Sequence, residues 1–331
     1  MIDPASPSAD TPATPKLGVV INLRSGRNQS GTQALDALLA TQPQIAVERP
    51  ATPGDTAASL AALAAQGVNV LAVCGGDGTV QQVLNVILEP ESPFPALPLL
   101  AVLPGGTTNM IAHDLNEAKR PTAVLENVLR SLANGLSDGA VVERTVIRLT
   151  GGDAASPAYG LFFGAAGIYE ATMQNRGSVD AVGLRDGFGP GLRLLAVLFK
   201  IATGRDPFAA VAIRITLDGR AYGEKSCVVL LCSTMGQLSL GLRPFWGDGP
   251  GRVRLTMAFE ASRSIIRAIR LALAGKPHPL LTPGNGYDSL NADRIELAFD
   301  GGCVLDGESF HASVGRPIIL ENAGILRFLR G

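Results

Sequence analysis

The chain predicts an α/β first half built on a doubly wound parallel sheet, followed by a mainly antiparallel β-sandwich or barrel. Two patterns carry this. Strand-like apolar runs alternate with helix-like runs up to about Gly139, and beyond it apolar stretches follow one another, split by Gly, Asp-Gly and Pro turns. Composition adds a third observation. Of 331 residues, 46% are hydrophobic and 17% charged, which excludes a disordered chain and suffices for two domains with cores of their own.

In the first half the predicted order is a strand over Leu17–Asn22, a helix near Gly31–Ala40, a strand at Ile45–Glu48, a helix over Asp55–Gln66 and a strand over Val68–Cys74. A helix over Val80–Leu88, a strand over Ala96–Leu103 and a helix from Met110 to Leu115 follow. The second half predicts strands at Val141–Leu149, Ala158–Ile168, Ala209–Leu217, Lys225–Cys232, Arg252–Phe259, Arg294–Phe299 and Pro317–Glu321.

Several classes are set aside by composition. The net charge of -1 supplies no basic field for nucleic acid. Residues 1–15 are rich in Pro, Ala, Ser and Thr and carry no Lys or Arg before Lys16, so they read as a disordered tail rather than a signal peptide. No run of roughly eighteen apolar residues occurs, so no transmembrane helix is expected. The four cysteines, at 74, 227, 232 and 303, lack Cys-x-x-Cys spacing and read as reduced, buried thiols of a cytoplasmic protein. With His113, His278 and His311 as its only histidines, the chain offers no His-rich zinc site.

The run Gly75-Gly76-Asp77-Gly78-Thr79 lies between a predicted strand and a predicted helix. Glycines let main-chain N–H groups approach an anion, and the helix N-terminus adds partial positive charge, so the run suits a bound phosphate. Thr79 reads as the helix cap. Asp77 is too acidic to cradle phosphate and reads as a residue that holds the loop or reaches a Mg²⁺. Asp-Gly alone is weak evidence, since it also occurs at 138, 186, 218, 248, 300 and 306. A second loop, Pro104-Gly105-Gly106-Thr107-Thr108-Asn109, follows the next strand, so two glycine-threonine loops reach one sheet edge.

These two loops resemble those of the catalytic domain shared by diacylglycerol kinases, sphingosine kinases and ceramide kinases. Two further segments extend the resemblance: Asn22-Leu23-Arg24-Ser25-Gly26 at the place of a first nucleotide loop, and Asp306-Gly307-Glu308 at the place of the family's proposed general base. The resemblance implies a fold like that of NAD kinases and diacylglycerol kinases. It implies a nucleotide-binding domain over 16–139, a lipid-binding β-sandwich over 140–314, a segment 315–331 returning to the first domain, and an active site in the cleft between domains. It also implies ATP and Mg²⁺ as cofactors. Asn22, Arg24, Gly75, Gly76, Asp77, Gly78, Thr79, Gly106, Thr107 and Asn109 would serve the nucleotide, Asp77 and Asp248 the metal, and Asp306 and Glu308 catalysis.

Asp306 and Glu308 alternate on what reads as an extended segment, so both carboxylates are expected on one face, where each would raise the other's pKa. The other reading of these residues is an Asp-Gly hairpin turn with Glu308 on its exposed flank. Two basic amphipathic stretches, Gly191–Arg205 and Ser262–Gly275, suit either a lipid surface or the cover of a core. The expected partner is a lipid at the membrane surface, met peripherally by a cytoplasmic protein, with a homodimer left open. The chain departs from the family at Leu23 for proline, Gln81 for asparagine and Met110 for aspartate, and the last of these either favours sphingoid or ceramide substrates over diacylglycerol or weakens catalysis. NAD kinase is the rival enzyme, and a non-catalytic lipid or nucleotide sensor is the rival outside catalysis.

Overall fold

A computed structural model describes residues 14–26, 28–117, 119–178, 210–238, 241–260, 262, 265–272 and 275–331. Residues 1–13 of the expected tail and the stretch Gly191–Arg205 lie outside them. The chain divides into two compact units, one running to Arg144 and regaining Gly324–Gly331, the other covering Thr145–Ala323.

The first unit alternates strand and helix: β1 (Leu17–Ile21), α1 (Gln33–Ala40), β2 (Ala46–Glu48), α2 (Thr56–Ala65), β3 (Val70–Gly75), α3 (Asp77–Ile87), β4 (Leu99–Pro104), α4 (Met110–Leu115) and α5 (Pro121–Ala133). β1, β3 and β4 are buried along their whole length, as parallel strands covered on both faces must be. One face, with Val19, Ile21, Ala72, Cys74, Ala101 and Leu103, packs with Leu35 and Leu39 of α1 and Val124, Leu125 and Val128 of α5. α2 and α3 contribute Leu60, Leu63, Val83 and Leu84, all fully buried. The pairing order is β2-β1-β3-β4, all parallel, and Phe328 near the chain end pairs parallel with Leu100 of β4.

That order places the topological switch at β1 and β3. The chain leaves β1 for β2 on one side and returns to β3 on the other, which opens a crevice at the carboxyl ends of β1 and β3. Register matches Ile21 with Cys74 and Cys74 with Leu103, so the three following loops start level.

The second unit holds β5 (Val141–Gly151, which begins in the first unit), β6 (Ala158–Gly160), β7 (Phe162–Ala166), α6 (Gly167–Ser178), β8 (Val211–Leu217), β9 (Arg220–Ser233), β10 (Val253–Phe259), α7 (Ile265–Ala272), β11 (Tyr287–Ala292), β12 (Arg294–Ala298), β13 (Gly301–Leu305), β14 (Glu308–Ala312) and β15 (Ile318–Leu329, which ends in the first). Its pairings are antiparallel, and the long β9 meets β8 along its first part and β7 and β10 along its last. Alternate residues such as Ile213 and Ile215, Val253, Leu255 and Met257, Ile295 and Leu297, and Ile318 and Leu320 fill one core. The single strand expected over Ala158–Ile168 is broken at Leu161 and gives way to α6 at Gly167, because Leu161 and Phe162 turn their N–H groups to Asp306. The Ser262–Gly275 stretch contains α7, with Arg267 and Arg270 exposed and Ala268 buried beside Leu281 and Tyr287.

All four cysteines are free and buried. Burial pushes the Cys74 thiol up to about 11 and the Cys227 and Cys303 thiols up to about 12, and raises Cys232 as well. A raised thiol pKa means a contribution to stability that is intact below the ordinary thiol range and lost as pH rises through the folded values. The native protein should therefore leave its thiols unreactive toward a thiol-specific chromogenic reagent at about pH 8 and expose all four only in denaturant. Stoichiometric labelling of the native protein would show that a cysteine is accessible.

Candidate functional site

The three level loops of the first unit interlock through their backbones. Gly105 donates its N–H to the Gly75 carbonyl at 3.0 Å, extending the β3–β4 ladder past the strand ends. One step further on, a Cβ on Gly106 would lie 2.3 Å from Gly76 Cα, a contact only glycine permits. The first loop closes the cluster. Ser25 Oγ accepts the Gly76 N–H at 2.8 Å, Asn22 Nδ2 donates to Thr79 Oγ1 at 2.9 Å, and a Cβ on Gly26 would lie 2.2 Å from Thr107 Oγ1. Asn28, buried, donates from Nδ2 to the Asn22 carbonyl at 2.8 Å, and its N–H meets the Gly105 carbonyl at 3.2 Å.

The glycine run is shorter as a loop than its spelling suggests. Gly76, extended at φ -89°, stands at the cap position, and Asp77, Gly78 and Thr79 already form the first turn of α3. Thr79 therefore does not cap the helix, and its hydroxyl meets Asn22 and lies 3.5 Å from Ser25 Oγ. Arg24 is exposed and places its N–H on Asn22 Oδ1 at 2.9 Å. Thr107 and Gly78 are exposed at the cluster's surface.

Asp77 is the bracket between two of the loops. Its carboxylate accepts the Met110 N–H at 3.1 Å and the Ile111 N–H at 2.9 Å, capping α4 across the sheet edge. Burial raises its pKa, an effect that the N–H bonds from Ile111 and Met110 oppose. Asn109 makes the turn before α4 at φ 50°, a left-handed conformation that asparagine tolerates. Its amide is tied twice to Gly106, accepting the N–H at 2.7 Å and donating to the carbonyl at 2.6 Å. Met110 enters this lock through its main chain, so aspartate, methionine or another side chain at 110 leaves these bonds in place.

In the second unit, Asp306 and Gly307 form the two-residue turn between β13 and β14, where Leu305 pairs with Glu308. Their φ values of 45° and 93° are those that a tight hairpin turn requires. Asp306 is buried, its Oδ2 accepting the Leu161 N–H at 2.8 Å and its Oδ1 the Phe162 N–H at 3.0 Å. Gly160 makes room, since a Cβ there would lie 2.6 Å from Asp306 Oδ2. Glu308 is exposed. The expectation that both carboxylates share one face of an extended segment is thus corrected: a turn separates them, and one is buried while the other faces solvent. Asp248 is exposed, and among the described residues no group of three or more His, Cys, Asp or Glu gathers to hold a metal ion.

Sequence reasoning passed over Ser25, Asn28 and Gly160. Ser25 and Gly26 stood in the first loop as a Ser-Gly pair that marks a turn, but Asn28 reaches the Gly105 carbonyl and Gly160 makes room for Asp306, positions far along the chain that left no local trace.

A parallel sheet with glycine-rich loops interlocked at its switch point defines the first unit as a doubly wound α/β unit. Residues 16–140 match the model of the diacylglycerol kinase catalytic domain. Over 99 residues the chain is 31% identical to the probable lipid kinase YegS-like of Stenotrophomonas maltophilia strain K279a, a match that takes in 30% of this chain and only 32% of that relative. A crystal structure of a diacylglycerol kinase from Bacillus anthracis Sterne aligns with a TM-score of 0.61 at 18% identity, covering 97% of this chain and 98% of the other. A further crystal structure from the same strain aligns with a TM-score of 0.67 at 17% identity, covering 97% and 99%. At such identities these structures speak for the fold.

Two substitutions test the lock. Gly106→Ala drives a methyl into Gly76 and should cost about 1–3 kcal/mol of stability in urea unfolding, together with nucleotide binding. Asp77→Asn keeps one acceptor and turns an amide N–H₂ on the other donor, a cost of about 1–3 kcal/mol. Wild-type unfolding midpoints in both variants would show that the loops are not held this way.

Proposed function

We propose that this chain is an ATP-dependent lipid kinase that transfers the γ-phosphate to a hydroxyl of a neutral lipid or sphingolipid, with diacylglycerol, ceramide and sphingoid bases as candidate acceptors. The observation that carries the reading is the interlocked cluster of three loops at the switch point, inside a segment that matches the diacylglycerol kinase catalytic domain.

Main-chain N–H groups around Gly75–Thr79 and Gly106–Thr107, with the N-terminus of α3, give the nucleotide's phosphates partial positive charge. Asn22 and Arg24 bind from the first loop, and Asn109 and Asp77 keep the turns in shape. Mg²⁺ neutralises phosphate charge when bound. Asp77 and Asp248 are the residues that would serve the ion. Asp306 takes the proton of the attacking hydroxyl, its carboxylate held rigidly by two N–H groups, with Glu308 beside the turn as the accompanying carboxylate.

Among the described residues no helix is long and apolar enough to cross a membrane, and we propose that the protein meets lipid peripherally from the cytoplasm. The exposed Arg267 and Arg270 of α7 suit an anionic surface.

Labelled ATP, Mg²⁺ and a panel of diacylglycerol, ceramide, sphingoid base and NAD test the reading directly, with label expected in a lipid. Label in NADP alone, or in nothing, overturns it. In the active assay Asp306→Asn should lower turnover by roughly 10² or more with ATP affinity little changed, and near-normal turnover in a folded Asp306→Asn protein would place the base elsewhere.

A further inference from the structure

Polar bonds hold α4, which follows the loop Gly106–Asn109, at both of its ends. The helix has six residues, less than two turns, too few to be stable in water alone. Asp77 takes the N–H groups of Met110 and Ile111 at its start. Just past its end Asn116, buried, donates from Nδ2 to the Val102 carbonyl of β4 at 2.8 Å and accepts the Gly331 N–H at 2.7 Å. Between these anchors lies an ion pair. Asp114 Oδ2 accepts Arg144 Nε of β5 at 2.7 Å, the aspartate side chain 1% exposed and the arginine 14%. Arg144 Nη1 also donates to the Glu143 carbonyl at 2.9 Å, so the guanidinium is itself fixed. All of these residues belong to the first unit.

Stability does not call for this pair. Taking two charges out of water costs about what their attraction returns, and two apolar side chains of similar size would hold α4 to β5 as firmly. Apolar contact has no direction, so a short helix held by it alone can slide or tilt at little cost. A charged hydrogen bond fixes both a distance and an angle. Asp114 stands four residues after Met110, one turn along the same face of the helix, so a tilt at Asp114 moves the Met110 end with it. Asn109, with its two bonds to Gly106, moves too.

We propose that Arg144 and Asp114 are positioning residues for the nucleotide's phosphates, an inference that rests on the nucleotide-binding part of the kinase reading above. The pair sets the tilt of α4, and α4 carries the turn Gly106–Asn109 to the place where its main chain meets phosphate. Neither side chain touches the nucleotide. Removing the pair as a unit leaves the fold and loosens the aim of this loop.

Arg144→Met combined with Asp114→Leu tests this, since the double change leaves neither charge buried without the other. Thermal unfolding without ligand reads the fold, and the rise in unfolding temperature on adding ATP and Mg²⁺ reads binding. The double variant should unfold near the wild-type temperature without ATP and need about tenfold or more ATP for the same rise. A wild-type response to ATP in the folded double variant overturns the inference and leaves the pair as scaffold. Arg144→Lys guards against a double variant that does not fold, because it keeps a positive charge opposite Asp114 and loses the planar fork. It should fold and bind ATP more weakly than wild type, and wild-type binding in it overturns the inference too. Failure of the kinase reading is seen separately, as a wild-type protein whose unfolding ATP does not shift, and the inference falls with it.

Discussion

The structure turns on a carboxylate that accepts two consecutive main-chain N–H groups. Asp77 does this for Met110 and Ile111, joining the turn after β3 to the helix after β4. A buried carboxylate is costly unless bonded, and a helix N-terminus has N–H groups with no partner of their own, so each meets the other's need. With that bond made, α4 starts at a fixed place, Asn109 can hold its left-handed turn, and Gly106 can approach Gly76 closely enough that it tolerates no side chain of its own.

The second unit uses the same device. Asp306 accepts the N–H groups of Leu161 and Phe162, and the chain breaks between β6 and β7 to supply them. The two aspartates differ in setting. Asp77 lies in the first turn of a helix, whereas Asp306 sits at positive φ in a hairpin turn, a conformation that costs of order 1–3 kcal/mol outside glycine. The Asp218-Gly219 turn between β8 and β9 has the same conformation, at φ 48° and 77°, and its carboxylate likewise accepts two consecutive main-chain N–H groups, those of Asp293 and Arg294.

The lock also bears on the chain's departures from the family pattern. The residue at 110 offers its N–H to Asp77, and any residue but proline offers the same group. Replacement of aspartate by methionine therefore changes what the side chain presents beside the loop while the loop's geometry stands.

Alternation of strand and helix, the glycine loops and the apolar β1, β3 and β4 were legible in the sequence because they rest on local rules of periodicity, turn chemistry and burial. The sequence by itself determined that two glycine-threonine loops leave neighbouring strand ends, and that Asp306-Gly307 is a turn or an active segment. It could not choose between those two, nor see that Thr79 lies inside the helix, that Ser25 and Asn28 close the cluster, or that Asp306 and Glu308 part company. Only the tertiary structure decided these points. Ser25 meets the Gly76 N–H 51 residues on and Asp306 the Leu161 N–H 145 residues back, and hydrogen bonds over such separations leave no periodic signature along the chain.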